Sequence, residues 1–342
     1  MKLQRTWARG SLGVFLLLLA LAIPASATFP GKNGKIAFTG SNGDVFTMNP
    51  DGTDVTQLTF FSVNAGGTCC VTWSPDGRQL VFGAIPDAVS NSQLWLMNED
   101  GSNQHVLLAE DSFAENFPSF SPDGSQVVFT RCELPGFHCA IYRIGINGNG
   151  LTALTPYDPN PDVNDFVPVY SPDGKTIVFD SFTRGGVIAA IYLMDADGSN
   201  IRQLTPGVIE GLNADWSPDG IQIAFFSNCC DVPPAQIFTI HPDGSALTQL
   251  TNPSNALDSQ PSWSPQGNAI VFERDNTTFT ASQIVVITAN GSGQNLALQS
   301  PGSKNFIVTP KERFITKKRA GKGRQTSILN FGFFPRWGPL PQ

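Results

Sequence analysis

Three carboxylates recur at one offset in the sequence. Glu115, Asp165 and Asp258 each stand five residues before an aromatic residue, at Phe120, Tyr170 and Trp263. Carboxylates that converge can hold a cation or meet a basic partner, and their bland role is to accept from neighbouring loop amides. A second acidic group, Asp158, Asn160 and Asp162, has the i, i+2, i+4 oxygen spacing of a calcium loop. Val163 stands where such a loop turns on glycine, and Val169 where it carries glutamate, so a solvated loop fits better than a Ca2+ site. A third feature is basic. Residues 304–324 hold Lys304, Lys311, Arg313, Lys317, Lys318, Arg319, Lys322 and Arg324 against one acid, Glu312. Such a run is a solvated loop or a grip for an anionic polymer, with Lys317, Lys318 and Arg319 at its centre.

The familiar enzyme signatures are missing. The sequence contains no G-x-S-x-G, H-E-x-x-H, phosphate-loop or dinucleotide pattern. Its three histidines, His105, His138 and His241, are widely separated. Six cysteines occur as Cys69-Cys70, Cys132 and Cys139, and Cys229-Cys230, none at the C-x-x-C spacing of zinc or redox sites. Charged residues make up 14% of the chain and the formal net charge is −7, which argues against a nucleic-acid partner. Lys2, Arg5 and Arg9, the apolar run from Val14 to Ile23, and Ala25-Ser26-Ala27 read as a signal peptide over residues 1–27. That run is about half of the ~20 residues a membrane span needs, so the mature chain is expected to be exported, periplasmic or extracellular, with no transmembrane segment.

The elements that must position these residues come from a repeat. "VTWSPDGRQLVF" at residue 71 returns as "PSFSPDGSQVVF", "PVYSPDGKTIVF", "ADWSPDGIQIAF" and "PSWSPQGNAIVF". The aromatic residues Trp73, Phe120, Tyr170, Trp216 and Trp263 are spaced by 47, 50, 46 and 47 residues, the period of a repeat array. Each unit parses into four short strands, A to D. The Pro-Asp-Gly turn joins A to B, and a second tight turn, such as "PDGS" at 242, joins C to D. Strands B and the C–D turns occur six times, but strand A occurs five times before the far end supplies "FPRWGP" at 334–339. The expected fold is all-β: one six-bladed propeller over residues 28–342, its first blade completed by the last strand. A basic insertion at about 300–332 interrupts the period.

The unit "WSPDGxxIAF…IYLMDADGSNIRQLT" resembles the TolB-like propeller repeat, a relative of WD-type repeats, over Gly34 to Pro339. The resemblance implies a binding propeller, and TolB itself contacts the peptidoglycan-associated lipoprotein through its propeller. The α/β domain that TolB carries ahead of its propeller is not expected here. Propeller lyases with a similar repeat hold a metal with several histidines, and no such histidine cluster is present.

Antiparallel blades place the A–B and C–D turns on one face and the B–C and D–A loops on the other. The second face carries the irregular loops, all six cysteines, and Glu115, Asp165 and Asp258, so it is the expected ligand face. Cys132 and Cys139 bracket one B–C loop and can bridge it. Cys69 and Cys229 lie three units apart, too far for the ~7 Å limit of a disulfide, leaving vicinal disulfides or free thiols at 69/70 and 229/230. The expected function is an exported, monomeric binding or scaffold protein without a cofactor. Its partner would be an envelope or extracellular protein or an anionic cell-wall polymer. The alternative is a carbohydrate-active lyase or hydrolase at the propeller mouth.

Overall fold

The repeat builds six antiparallel sheets of four strands. The computed structural model describes residues 29–341 except 41, 62–66, 88–89, 158–162, 188, 208, 228–234, 253–254, 277–281, 292–295 and 299–334. Blade 1 takes its inner strand from the far end of the chain, Arg336–Pro339, and continues with Asn33–Thr39, Val45–Met48 and Thr56–Gln57. The inner strands of blades 2 to 6 are Gly67–Trp73, Phe113–Phe120, Asn164–Tyr170, Leu212–Trp216 and Ala256–Trp263. Their second strands are Gln79–Ile85, Gln126–Glu133, Thr176–Phe182, Ile223–Ser227 and Ala269–Asn276. The expected six-bladed propeller, closed by its last strand, is the observed fold. No helix among the described residues is long and apolar enough to cross a membrane.

The core lies between blades. Trp73 packs with Ala37 and Val45 of blade 1, and Phe120 with Val81 and Leu94 of blade 2. Tyr170, Trp216, Trp263 and Trp337 each pack in the same way against the blade before them. Burying one such ring contributes roughly 1.5–3 kcal/mol, so the repeated aromatic is the main apolar tie between neighbours.

The Ser-Pro-Asp-Gly turn is structural at each residue. The hydroxyl of Ser74 donates to Asp76 at 2.6 Å, and Ser121, Ser171 and Ser217 donate to Asp123, Asp173 and Asp219 at 2.6, 2.7 and 2.6 Å. These serine hydroxyls, with the amide two residues on, hold Asp123 and Asp173 below the ordinary carboxylate range despite some burial. The proline of one blade lies under the turn glycine of the next. A Cβ on Gly124 would sit 3.6 Å from Pro75, and one on Gly267 3.1 Å from Pro218. Two residues past the outer strand a threonine hydroxyl accepts from the third strand: Thr59 from Val45 at 2.9 Å and Thr251 from Ile237 at 3.0 Å.

Ring closure is a close fit. Trp337 pairs with Ile36, and its indole N–H donates to the carbonyl of Gly34 at 3.1 Å. A Cβ at Gly338 would fall 2.4 Å from Cγ of Trp73, so only glycine lets the closing strand lie on blade 2.

Candidate functional site

Blades 2 to 6 break register in the inner strand at one place. Three residues before each aromatic, Cys70, Phe117, Val167, Asn213 and Gln260 take φ of 59°, 52°, 51°, 52° and 57°. For a β-branched residue such as Val167 this left-handed conformation costs on the order of 1–3 kcal/mol. Side chains of the preceding blade support the bulge. Val167 N–H donates to Thr130 Oγ1 at 3.1 Å, and Asn213 N–H to Asp180 Oδ2 at 2.8 Å. Asp180 is otherwise enclosed, and burial pushes its carboxyl up to about 8.

The bulges bring Cys70, Phe117 and Val167 into the central channel with Asp215 and Arg336. Arg336 Nη1 reaches Asp215 Oδ1 at 3.6 Å, tying blade 1 to blade 5, and Asp215 Oδ2 accepts from Trp263 N–H at 2.8 Å. Phe29 lies at the same channel and is buried. The remaining cavity is about 40 Å³, which suits a little water and no sugar ring.

Glu115, Asp165 and Asp258 all lie at the start of inner strands, on the loop-bearing end, and are 0, 1 and 0% exposed. Arginine covers them. Arg274 stands opposite Asp258 in the register, and its Nε and Nη2 donate to the two carboxylate oxygens at 2.6 and 2.8 Å. In blade 4 the residue opposite is Ser181, which donates to Asp165 at 2.6 Å. Arg184, from the short 3₁₀ turn Arg184–Gly186, reaches back to donate to Asp165 at 2.7 Å. The partners are therefore guanidinium groups rather than loop amides, and what reaches solvent is the arginine edge: Arg184 is 20% exposed and Arg274 21%.

Blade 3 departs from this. Arg131 lies opposite Glu115, but its Nε is 3.6 Å from Oε1 and neither Glu115 oxygen accepts a hydrogen bond. Arg131 Nη2 instead meets Glu110 at 2.5 Å, with the guanidinium 3.7 Å above the Phe113 ring. Burial outweighs the attraction of Arg131 and pushes the Glu115 carboxyl up to about 8.

Cys132 and Cys139 are joined by a disulfide across the B–C turn of blade 3. Cys69 and Cys70 are buried free thiols, with Cys69 Sγ 3.3 Å from Asn116 Oδ1. Burial raises the Cys70 thiol well above its ordinary pKa. Residues 1–27, Asp158, Asn160, Asp162, Cys229, Cys230, Lys317, Lys318, Arg319 and the basic insertion lie outside the described residues. Among the described residues no group of three or more His, Cys, Asp or Glu is placed to hold a metal.

Two of the covering arginines are marked in the sequence by their spacing. Glu115 to Arg131 and Asp258 to Arg274 are both 16 residues, and each arginine follows the buried strand-B phenylalanine by two. Arg184 has no such spacing, because it comes from a loop.

Residues 160–329 match the PD40 family model, described as the TolB beta propeller domain. TolB from Acinetobacter baumannii superposes with a TM-score of 0.68 at 19% identity, over 90% of this chain and 67% of that one. The putative TolB from Agrobacterium tumefaciens gives 0.61 at 22% identity, over 79% and 89%. An oligogalacturonate lyase in complex with manganese gives 0.52 at 16% identity, over 74% and 69%. No curated protein matches the chain by sequence. At these identities the likeness is one of fold, and the fold serves more than one chemistry.

Proposed function

Taking the chain as a TolB-like six-bladed β-propeller, we propose that it is an exported binding protein that engages an envelope protein through the face bearing the B–C and D–A loops. One observation carries this reading. The buried acids of blades 4 and 6 are bonded to arginine, and the central channel is packed to a small cavity, so at the loop-bearing end contact falls to the rim rather than to the acids or the channel. A rigid ring with irregular loops at one end is an arrangement suited to recognition. The periplasmic or extracellular location belongs to the same reading.

A photo-cross-linking residue on each face tests it. Placed at Phe137 or Glu210, on the loop face, it is expected to capture a discrete envelope protein. Placed at Lys175 or Asp219, on the turn face, it is expected to capture none. Capture from the turn face alone would overturn the assignment. The likeness to an oligogalacturonate lyase gives a second reading, turnover of an acidic oligosaccharide. Incubation with oligogalacturonate and a divalent metal checks it, and appearance of an unsaturated product would replace binding with catalysis.

A further inference from the structure

The acids picked out by their offset suggest a cationic ligand, but the structure reverses the sign of what is presented. Asp165 and Asp258 are buried, and the groups over them are Arg184 and Arg274. A guanidinium has five N–H donors. Arg184 uses Nε on Ser181 and Nη2 on Asp165, and Arg274 uses Nε and Nη2 on Asp258. On each, Nη1 is without a hydrogen-bond partner among the described residues. The buried carboxylate fixes each fork and removes much of the rotamer entropy that an exposed arginine would lose on binding.

The surroundings are aromatic. The Arg184 guanidinium lies 5.9 Å from the Tyr192 ring and that of Arg274 5.3 Å from Phe272. Beside Arg184, Phe182 meets Phe166 edge-on at 5.6 Å, and Phe166 meets Phe117 at 6.4 Å; all three are half-buried. Phe117 also lines the channel, so this aromatic row runs from the arginine rim to the channel mouth. Arginine beside half-buried aromatic rings is the composition of a protein–protein contact core.

We infer that Arg184 and Arg274 are a pair of pre-oriented anion forks that receive side-chain carboxylates from an acidic segment of a partner protein, with the Phe117–Phe166–Phe182 row beside Arg184. The inference rests on the loop face being the binding face and adds the residues and the partner's chemistry. The two forks sit in blades 4 and 6, with blade 5 between them, where Gly211 and Ser227 occupy the positions equivalent to Asp258 and Arg274.

Fluorescence anisotropy with a labelled hexaglutamate peptide and the full chain tests the forks. Arg184→Gln and Arg274→Gln are each expected to weaken binding about tenfold, since each removes a charge-assisted bond. Arg202→Gln, on the opposite face where Arg202 bonds to the Pro242 carbonyl, is expected to leave it unchanged. Arg184→Lys keeps the charge and loses the fork. It should weaken binding nearly as much while the melting temperature stays at the parent value. Equal loss from all three Gln variants, or parental affinity in Arg184→Lys, would reduce the effect to general charge and overturn the inference. So would no binding of hexaglutamate, or binding of polygalacturonate in its place, which would make the ligand a glycan. If cross-links from Phe137 and Glu210 persist while hexaglutamate fails, the loop face stands and only the forks fall. Cross-links confined to the turn face remove both.

Discussion

In blade 6, Asp258 receives two N–H bonds from Arg274 at 2.6 and 2.8 Å; in blade 3, Glu115 faces Arg131 in the same register and receives none. Strand, offset and partner type are shared. Two things differ. Glutamate is one methylene longer than aspartate, which changes where its carboxylate meets the opposite guanidinium. Glu110 also competes for Arg131, holding it at 2.5 Å against the Phe113 ring. Burial is common to both acids; the longer side chain and the competing acid are what separate the unbonded Glu115 from the twice-bonded Asp258. Blade 3 carries a tie of another kind: a disulfide joins its second and third strands, at the level where Ser282 donates to Asp275 between the second and third strands of blade 6.

The comparison breaks most easily at Asp258. Its removal in Asp258→Ala leaves Arg274 held near the interior without a counter-charge, at a cost of about 3 kcal/mol. Urea melts should show that loss, and a parental midpoint would mean the ion pair contributes nothing net. Glu115→Gln should act with the opposite sign. The folded protein holds the Glu115 proton up to about pH 8, while the unfolded chain releases it near the ordinary glutamate pKa. Stability from this site is therefore fully present below that ordinary value and is lost as pH rises toward 8. At pH 8.5 Glu115→Gln should be more stable than the parent, and at pH 5 about equal. Melting curves at the two pH values check this, and a pH-independent difference would return Glu115 to the class of Asp258. The smallest effect is expected from the disulfide. Replacing both cysteines, Cys132→Ser with Cys139→Ser, opens a short loop and should cost about 2 kcal/mol. Reduction of the parent by dithiothreitol should give the same shift in melting temperature, and no shift would mean the disulfide contributes nothing to the stability of blade 3.

Legibility in the sequence tracked locality. The blades could be read because Ser-Pro-Asp-Gly satisfies its own turn within a few residues, and because each aromatic keeps its place against the preceding blade. Closure was readable because one strand was lacking at the start and one unit-like Trp stood at the end. The bulges were not, since Cys70, Phe117, Val167, Asn213 and Gln260 share a conformation and no residue type. Their left-handed backbone is supported from outside, by groups such as Thr130 and Asp180 on another blade. The candidate site was legible by half. The acids announced themselves by offset, but burial and partner belong to tertiary structure, and the partner decided which sign of charge faces outward.

The bond from Trp337 to Gly34 spans 303 residues, and that distance is also a delay. At about 5–20 residues per second, synthesis separates the two ends by about 15–60 s. Throughout that interval Asn33–Thr39 has no inner neighbour, and Trp73 lacks the glycine it packs on. A chain that stops early keeps this open edge permanently, with unpaired backbone groups for a protease or chaperone to find. The ring thus checks its own completeness: only a chain that includes residues 336–339 can conceal where it began.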